Sequence, residues 1–219
     1  MITGKQGEMG KAERWFVYIL VYLFLSGLIA HLVPKIYPFT RYTTDLFLLM
    51  INGTLLYFLF EKNKDQNLWW WAAITYLGTF SLEALGVATG KVFGAYHYGE
   101  TMFLQVLNVP LVIALNWTVL ILAVNNLMYR WTQQPVLLAL LSGLFIAVYD
   151  YFIEPVAIRL DYWQWEAGVI PLQNYLAWAI IAFLFSLPLH LWKIKFRSPL
   201  LNIYLFVQLI YFILLNLLL

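Results

Sequence analysis

Glu83 is the residue of this chain whose surroundings point most directly to chemistry. It is the single charged side chain in the run from Leu68 to Gly90. Hydrocarbon does not solvate charge, so an ionisable group within an apolar span marks a functional site by default. Apolar surroundings also favour the neutral carboxyl, which can then act as an acid at neutral pH. The alternatives are a glutamate that reaches the headgroup region or one that pairs with Lys91.

Asp150 and Glu154 form a second group of carboxyls. Their spacing of four places both on one face of a helix. Two neighbouring carboxyls repel each other when both are ionised, so one keeps its proton and the pair can supply an acid and a base. Asp150 follows an apolar run, which favours a functional role. Glu154 directly precedes Pro155, so an equally open interpretation is that it ends the helix in the headgroups.

His97 is the third candidate for proton transfer, because a histidine titrates near neutral pH. It lies between Tyr96 and Tyr98, however, and such a cluster is also typical of the aromatic belt at a membrane surface. Four tryptophans lie near the same polar segments, and their faces suit a cation or a flat conjugated ligand. These are Trp117, Trp163, Trp165 and Trp178.

Metal and cofactor sites are not indicated. The chain has no cysteine and 3 histidines, none at helical ligand spacing, and it lacks an aspartate-rich motif. Gly86, Gly90 and Gly94 do not have the spacing of a dinucleotide fingerprint; they indicate close helix packing or backbone approach to a ligand. The net charge of +2 gives no reason to expect nucleic acid as a partner. We therefore predict no metal and no cofactor.

The composition places these residues in a membrane protein. Hydrophobic residues make up 63% of the chain and charged residues 11%, against about 45–50% and about 25% in soluble domains. We predict an all-α, polytopic membrane helix bundle that forms a single domain over residues 1–219, in contact with membrane lipid. Windows of about 20 apolar residues predict about seven transmembrane helices, at 15–33, 45–60, 68–90, 107–127, 134–152, 170–191 and 200–218.

Loop charges predict the orientation of the bundle. Nine Lys and Arg residues, from Lys5 to Arg197, fall on one side and four, from Lys35 to Arg159, on the other. This bias favours a cytoplasmic N-terminus, in the cytoplasmic membrane of a bacterium or archaeon. The first apolar run lacks a small-x-small cleavage site, so we do not expect a cleavable signal. Spans three and five then run in the same direction, which brings their carboxyls and the starts of spans four and six to one face.

Three blocks of sequence resemble a known family. The first reads E-x-x-G-V-x-T-G-x-x-F-G-x-Y-x-Y from Glu83 to Tyr98, and the second is V-P-L from Val109. The third reads D-x-x-x-E-P from Asp150, then W-x-W, then I-P-x-x-N-x-x-x-W to Trp178. In order and spacing these blocks are similar to the membrane carotenoid biosynthesis family that contains the carotenoid 1,2-hydratases. The resemblance covers about residues 80–180.

The resemblance implies a substrate and a reaction. A carotenoid hydratase protonates the terminal alkene of an acyclic end group at C2, and water adds to the tertiary cation at C1. This carbon–oxygen lyase chemistry needs a protonated carboxyl, aromatic groups beside the cation and a held water. Glu83 or Asp150 would supply the proton, and Asp150, Glu154, His97 or Asn174 would hold the water. The expected substrate-binding residues are Tyr96, Tyr98, Asn116, Trp117, Trp163, Trp165, Asn174 and Trp178.

Two other functions stay open. A carotenoid end-group cyclase begins with the same protonation, but an internal double bond captures the cation in a dry pocket. The Pro-x-Glu-Glu-type motif of the small membrane cyclases is absent from this sequence. A non-enzymatic transporter or scaffold of a biosynthetic complex is the third possibility. The sequence does not indicate an oligomeric state.

Overall fold

The computed structural model describes residues 8–219, so Lys5 of the charge count lies outside the described residues. Within this range the chain forms eight helices, seven of them long and apolar enough to cross a membrane. This confirms the predicted all-α polytopic bundle and fits an integral membrane protein. The helices are α1 Lys11–Leu32, α2 Tyr37–Thr40, α3 Thr44–Lys62, α4 Gln66–Thr89, α5 Leu111–Met128, α6 Pro135–Arg159, α7 Leu172–Leu191 and α8 Pro199–Leu218.

Helix α5 is the centre of the bundle. It is the most buried span, and α3, α4, α6, α7 and α8 all pack against it. Its polar residues near the C-terminal end bind neighbouring helices: Asn125 donates to Ser186 Oγ on α7, and Asn126 donates to Asn202 Oδ1 on α8, each over 2.7 Å. In lipid, such hydrogen bonds and van der Waals packing hold helices together. The hydrophobic effect contributes little, because lipid tails are as apolar as the helix surfaces.

Two of the helix boundaries that differ from the sequence prediction lie beside the site residues. Helix α6 continues beyond residue 152, through Pro155 to Arg159, so Glu154 is buried inside the protein and does not end the helix. Proline lacks only its own N–H, and membrane helices tolerate this where neighbouring groups satisfy the backbone. Helix α5 begins at Leu111, not at 107, because Leu107 and Asn108 adopt positive φ values of 53° and 61° in a hairpin turn.

The described residues also form four short strands, which were not expected from the sequence. They are β1 Tyr96–Tyr98, β2 Gln105–Val106, β3 Val109–Pro110 and β4 Trp163–Trp165. Strands β2 and β3 form the hairpin before α5. Strands β1 and β4 pair in antiparallel register and so join the loop after α4 to the loop after α6. The two loops therefore act as one structural unit.

The three spaced glycines allow the chain after α4 to fold back on the helix. Gly90 ends α4 with φ 64°, and Gly94 has φ 115°, a region that favours glycine. A Cβ atom at Gly86 would lie 2.7 Å from the Phe93 ring, and one at Gly94 would lie 2.6 Å from Pro171 Cγ. The glycines thus serve close packing of the returning loop, and they set the position of β1 beside α4.

Candidate active site

Glu83 is buried on α4 and accepts three hydrogen bonds. Its Oε2 atom accepts from the hydroxyls of Tyr96 at 2.5 Å and Tyr98 at 2.9 Å, and its Oε1 atom accepts from Trp117 Nε1 at 2.9 Å. Lys91 is exposed and does not contact it. Glu83 therefore neither reaches the headgroups nor pairs with a lysine of the described chain; aromatic donors hold it inside the bundle.

Glu154 has a matching position on α6 but different partners. Its Oε2 atom accepts from Trp163 Nε1 at 3.0 Å and from Trp165 Nε1 at 2.8 Å. Its Oε1 atom accepts from Asn174 Nδ2 at 2.8 Å. Indole and amide N–H groups only donate. Every protein group that contacts Glu154 through a hydrogen bond thus presents a proton to it, which is the environment of an ionised carboxylate.

Asp150 lies one turn away on the same face of α6, and Asn174 bridges the two carboxyls. The Asn174 amide nitrogen donates to Asp150 Oδ2 at 2.6 Å and to Glu154 Oε1. Asp150 Oδ1 is buried without a hydrogen-bond partner within residues 8–219. Among the carboxyl oxygens of Glu83, Asp150 and Glu154, it is the one without a partner in the described chain. A proton bound to this oxygen would relieve the repulsion between Asp150 and Glu154.

The pairing of β1 with β4 orients the donors to both glutamates. Tyr96 lies opposite Trp165, and Tyr98 lies opposite Trp163. Successive side chains of a strand point to opposite faces, so these four aromatic residues all face the bundle. Burial, and next the negative charge of Glu83, raise the pKa of the Tyr96 and Tyr98 phenols well above their usual range. Both hydroxyls therefore keep their protons at neutral pH.

Glu83 and Glu154 face a common cavity of about 60 Å³. Its walls are largely aromatic, and Trp117 and Trp178 stack with ring centroids 4.0 Å apart. All eight residues expected to bind substrate line this cavity together with the two glutamates, whereas Asp150 lies behind Asn174. The lining residues expected from the sequence are Glu83, Tyr96, Tyr98, Asn116, Trp117, Glu154, Trp163, Trp165, Asn174 and Trp178.

Comparison with known proteins adds a family to this geometry. A family model described as "Carotenoid biosynthesis protein" matches residues 44–218. The chain belongs to the carotenoid biosynthesis protein family. No curated protein and no solved structure matches it. The matched region of this carotenoid biosynthesis protein is wider than the 80–180 suggested by the motifs, and it contains both glutamates and all of their hydrogen-bond donors.

His97 is not part of the cavity in this carotenoid biosynthesis protein. It lies between Tyr96 and Tyr98 in β1 and opposite Gln164 in β4, so strand alternation turns it to the other face, where it is exposed. The expectation that His97 takes part in catalysis therefore lacks a structural basis. Its position fits the alternative interpretation, an aromatic and polar cluster at the membrane surface.

Gln208 lines the cavity from α8 and was not among the residues expected from the sequence. Its Oε1 atom accepts a hydrogen bond from the buried Tyr149 hydroxyl at 2.6 Å. A glutamine in the middle of an apolar span is itself a signal, because an amide is costly in hydrocarbon without a partner. Gln208 brings α8 of the carotenoid biosynthesis protein into contact with the site.

Proposed function

We propose that this protein is a carotenoid hydratase that adds water across the terminal C1=C2 bond of an acyclic end group. The observation that carries the proposal is the pair of buried glutamates that face one aromatic cavity: two tyrosine hydroxyls, which can donate or accept, contact Glu83, whereas only N–H donors contact Glu154. Glu83 can hold a proton and release it, whereas the donors around Glu154 keep it as a proton acceptor. An acid-catalysed addition of water requires both functions on either side of the reacting alkene.

Glu83 is the proposed acid. A tyrosine hydroxyl can donate or accept a hydrogen bond, so the two hydroxyls at Oε2 can accommodate either state of the carboxyl by turning. With a proton on Oε2, Glu83 donates to Tyr96, while Oε1 still accepts from Trp117. Transfer of this proton to C2 leaves a carboxylate that the same three donors stabilise in place. The cost of ionising a buried acid is thereby reduced at the moment of transfer.

Glu154 is the proposed base. The two indoles and Asn174 favour its carboxylate form, and a carboxylate beside the cavity stabilises a tertiary cation and accepts a proton from water. In the balanced step, the water oxygen bonds to C1 and one water proton passes to Glu154. That proton returns to Glu83 through water in the cavity, which restores the starting state. Asp150 holds a proton on its free oxygen and so leaves the charge on Glu154.

The aromatic walls suit the intermediate. The faces of tryptophan and tyrosine rings attract a cation, by about 0.5–2 kcal/mol for each contact. The stacked pair of Trp117 and Trp178 lies on one side of the cavity, and the rings of β1 and β4 lie on another. The same flat surfaces are complementary to a conjugated polyene. A cation that forms here is therefore surrounded by aromatic faces and carboxylates.

An end-group cyclase is the alternative that shares the first step. It requires a dry pocket, because water would capture the cation before ring closure. In this cavity three amide side chains line the wall beside the glutamates, and amides hold water well. These are Asn116, Asn174 and Gln208. The amides support hydration over cyclisation.

Pigment analysis tests the proposal. Cells that make an acyclic carotenoid would be compared with and without this protein, by chromatography and mass spectrometry. We expect a product heavier by one water. A product of unchanged mass would indicate cyclisation, and unchanged pigments would indicate a transporter or scaffold. Glu83→Gln and Glu154→Gln should both lower hydration, and full hydration by both variants would refute the assigned site.

A further inference from the structure

A second cavity lies beside the active-site cavity, between α1, α3 and α8. Its volume is about 230 Å³, against about 60 Å³ for the active-site cavity. The two cavities share part of their lining, which places them on either side of one thin partition. The shared residues are Leu48, Tyr162, Gln208 and Phe212. Movement of these four side chains would join the two cavities, so that a molecule whose end lies near the glutamates could continue into the second one.

The walls of the second cavity suit a hydrocarbon chain. No Asp, Glu, Lys or Arg of the described chain lines it. Phe24 on α1 makes edge contacts with Phe47 on α3 and Tyr211 on α8, with ring centroids 5.3 and 5.2 Å apart. These rings bridge α1 to its neighbours, and the space beside them is left unfilled. The polar lining residues are Ser26, His31, Thr40, Thr43, Thr44 and Gln208, and the rest are apolar or aromatic. Walls that are mainly apolar and aromatic bind a conjugated polyene better than they bind water.

The second cavity also reaches the outside of the bundle. Thr43, at the start of α3, lines it and is exposed, and Ser26 lines it from α1. The space therefore extends from the partition at Leu48 and Tyr162 to the exposed start of α3. A long, stiff substrate needs such a path, because the narrow active-site cavity can hold only the end that reacts.

We propose that the second cavity is a channel that binds the polyene chain of the substrate while the end group occupies the active-site cavity. The channel rests on the proposed function in one respect, the carotenoid nature of the substrate. It adds a binding site for the chain and a path between the start of α3 and the active-site cavity. The family match begins at residue 44, so the glutamates and their donors lie within it, whereas the α1 wall of the channel lies outside it. No residue of α1 lines the active-site cavity, so changes in α1 should alter substrate binding more than chemistry.

Filling the channel tests this assignment. Gly27 lines the channel, and a Cβ atom added there would lie 3.5 Å from the Tyr211 hydroxyl, an ordinary contact. Gly27→Leu would then extend into the open space. Ala30→Leu, one turn further along α1, is a second filling variant. Gly53→Leu is the matched control, because a Cβ atom at Gly53 on α3 would meet no atom of the described chain within 4 Å.

Each protein would be made in cells that produce lycopene and purified in one detergent. Bound pigment per protein would be read from absorbance, with size-exclusion elution as the check on folding. We expect wild type and Gly53→Leu to retain pigment, as lycopene or its hydrated product, and both filling variants to retain about tenfold less or lower still, because they displace the chain from apolar walls. Wild-type protein that purifies without pigment, or folded filling variants that retain it fully, would overturn the channel.

The binding measurement separates the channel from the proposed reaction. Wild type that retains lycopene but forms no hydrated product would remove the hydratase proposal and leave the channel standing. Hydration together with full pigment retention by the filling variants would do the reverse. A lipid acyl chain recovered from the protein in place of lycopene would also overturn the channel, because it would show that the space holds lipid only.

Discussion

The two active-site glutamates should respond differently to the same substitution. Changing a glutamate to glutamine removes the charge, keeps the shape and replaces one acceptor oxygen with an NH₂ donor. At Glu83, an NH₂ group can replace Oε2, which faces two tyrosine hydroxyls. A hydroxyl can turn and accept a hydrogen bond from that NH₂ group. At Glu154, both oxygens face N–H groups that cannot accept. Glu154→Gln therefore places donor against donor in either orientation of the amide.

The contacts give the size of the difference. A buried donor or acceptor left without its partner costs about 1–3 kcal/mol, whereas exchanging one satisfied hydrogen bond for another costs roughly 1 kcal/mol or less. For a chain of this length, 1 kcal/mol shifts the melting temperature by about 2–4 °C. We expect Glu154→Gln to melt several degrees below wild type and Glu83→Gln to melt close to wild type, although both lose hydration.

Thermal unfolding of the purified proteins in one detergent, followed by tryptophan fluorescence, measures this difference. Glu100→Gln is the control for loss of a glutamate charge, because Glu100 lies exposed in the loop after β1. It should melt as wild type does and keep full activity. Equal destabilisation by Glu83→Gln and Glu154→Gln would refute the assigned surroundings, in which the partners of Glu83 can donate or accept and those of Glu154 only donate.

Three further predictions follow from the surroundings of the site. His97→Ala should leave hydration within about twofold of wild type, since His97 faces away from the cavity; a large loss would return it to the mechanism. Trp165→Phe keeps a ring but removes one N–H donor to Glu154, so the hydration rate should fall about tenfold, or about 1.4 kcal/mol, with pigment binding retained. Gly94→Ala should lower stability by about 1–3 kcal/mol, measured by thermal unfolding, because φ is 115° and its Cβ would lie 2.6 Å from Pro171; unchanged stability would contradict the packing described for this loop.

Much of the fold could be predicted from the sequence, because lipid imposes a simple rule. A segment that crosses hydrocarbon must be apolar and must satisfy its own backbone, so hydropathy alone finds the seven spans. The same rule explains why α6 runs on past Pro155: a helix that continues leaves fewer unpaired groups than one that ends. A proline that would end a helix in water was therefore a poor guide to the boundary.

The relative positions of the Asp150 and Glu154 carboxyls could also be predicted from their spacing in the sequence. Asp150 and Glu154 were expected on one helical face, and both contact Asn174 in the structure. The partners of the carboxyls were not accessible, because they depend on the pairing of two three-residue strands about 65 positions apart in the chain. Such short strands carry almost no periodic signal.

The sequence does carry one signal for that pairing. Strand β1 alternates aromatic, polar, aromatic, and β4 repeats the pattern with tryptophans around Gln164. This period of two is typical of strands with one buried face. It predicts that His97 lies on the outer face, where the structure places it. The role of α8 had a weaker signal, the amide of Gln208 in the middle of an apolar helix.

The source of the atoms added to the substrate tests the central claim most directly. The purified protein would act on an acyclic carotenoid in heavy water, and in a parallel reaction in oxygen-18 water, with the product analysed by mass spectrometry after exchange of hydroxyl protons. Hydration with Glu83 as the acid predicts one carbon-bound deuterium at C2 and one oxygen-18 at C1, both lost in Glu83→Gln. Oxygen drawn from O₂, or a hydrated product without carbon-bound deuterium, would contradict the account.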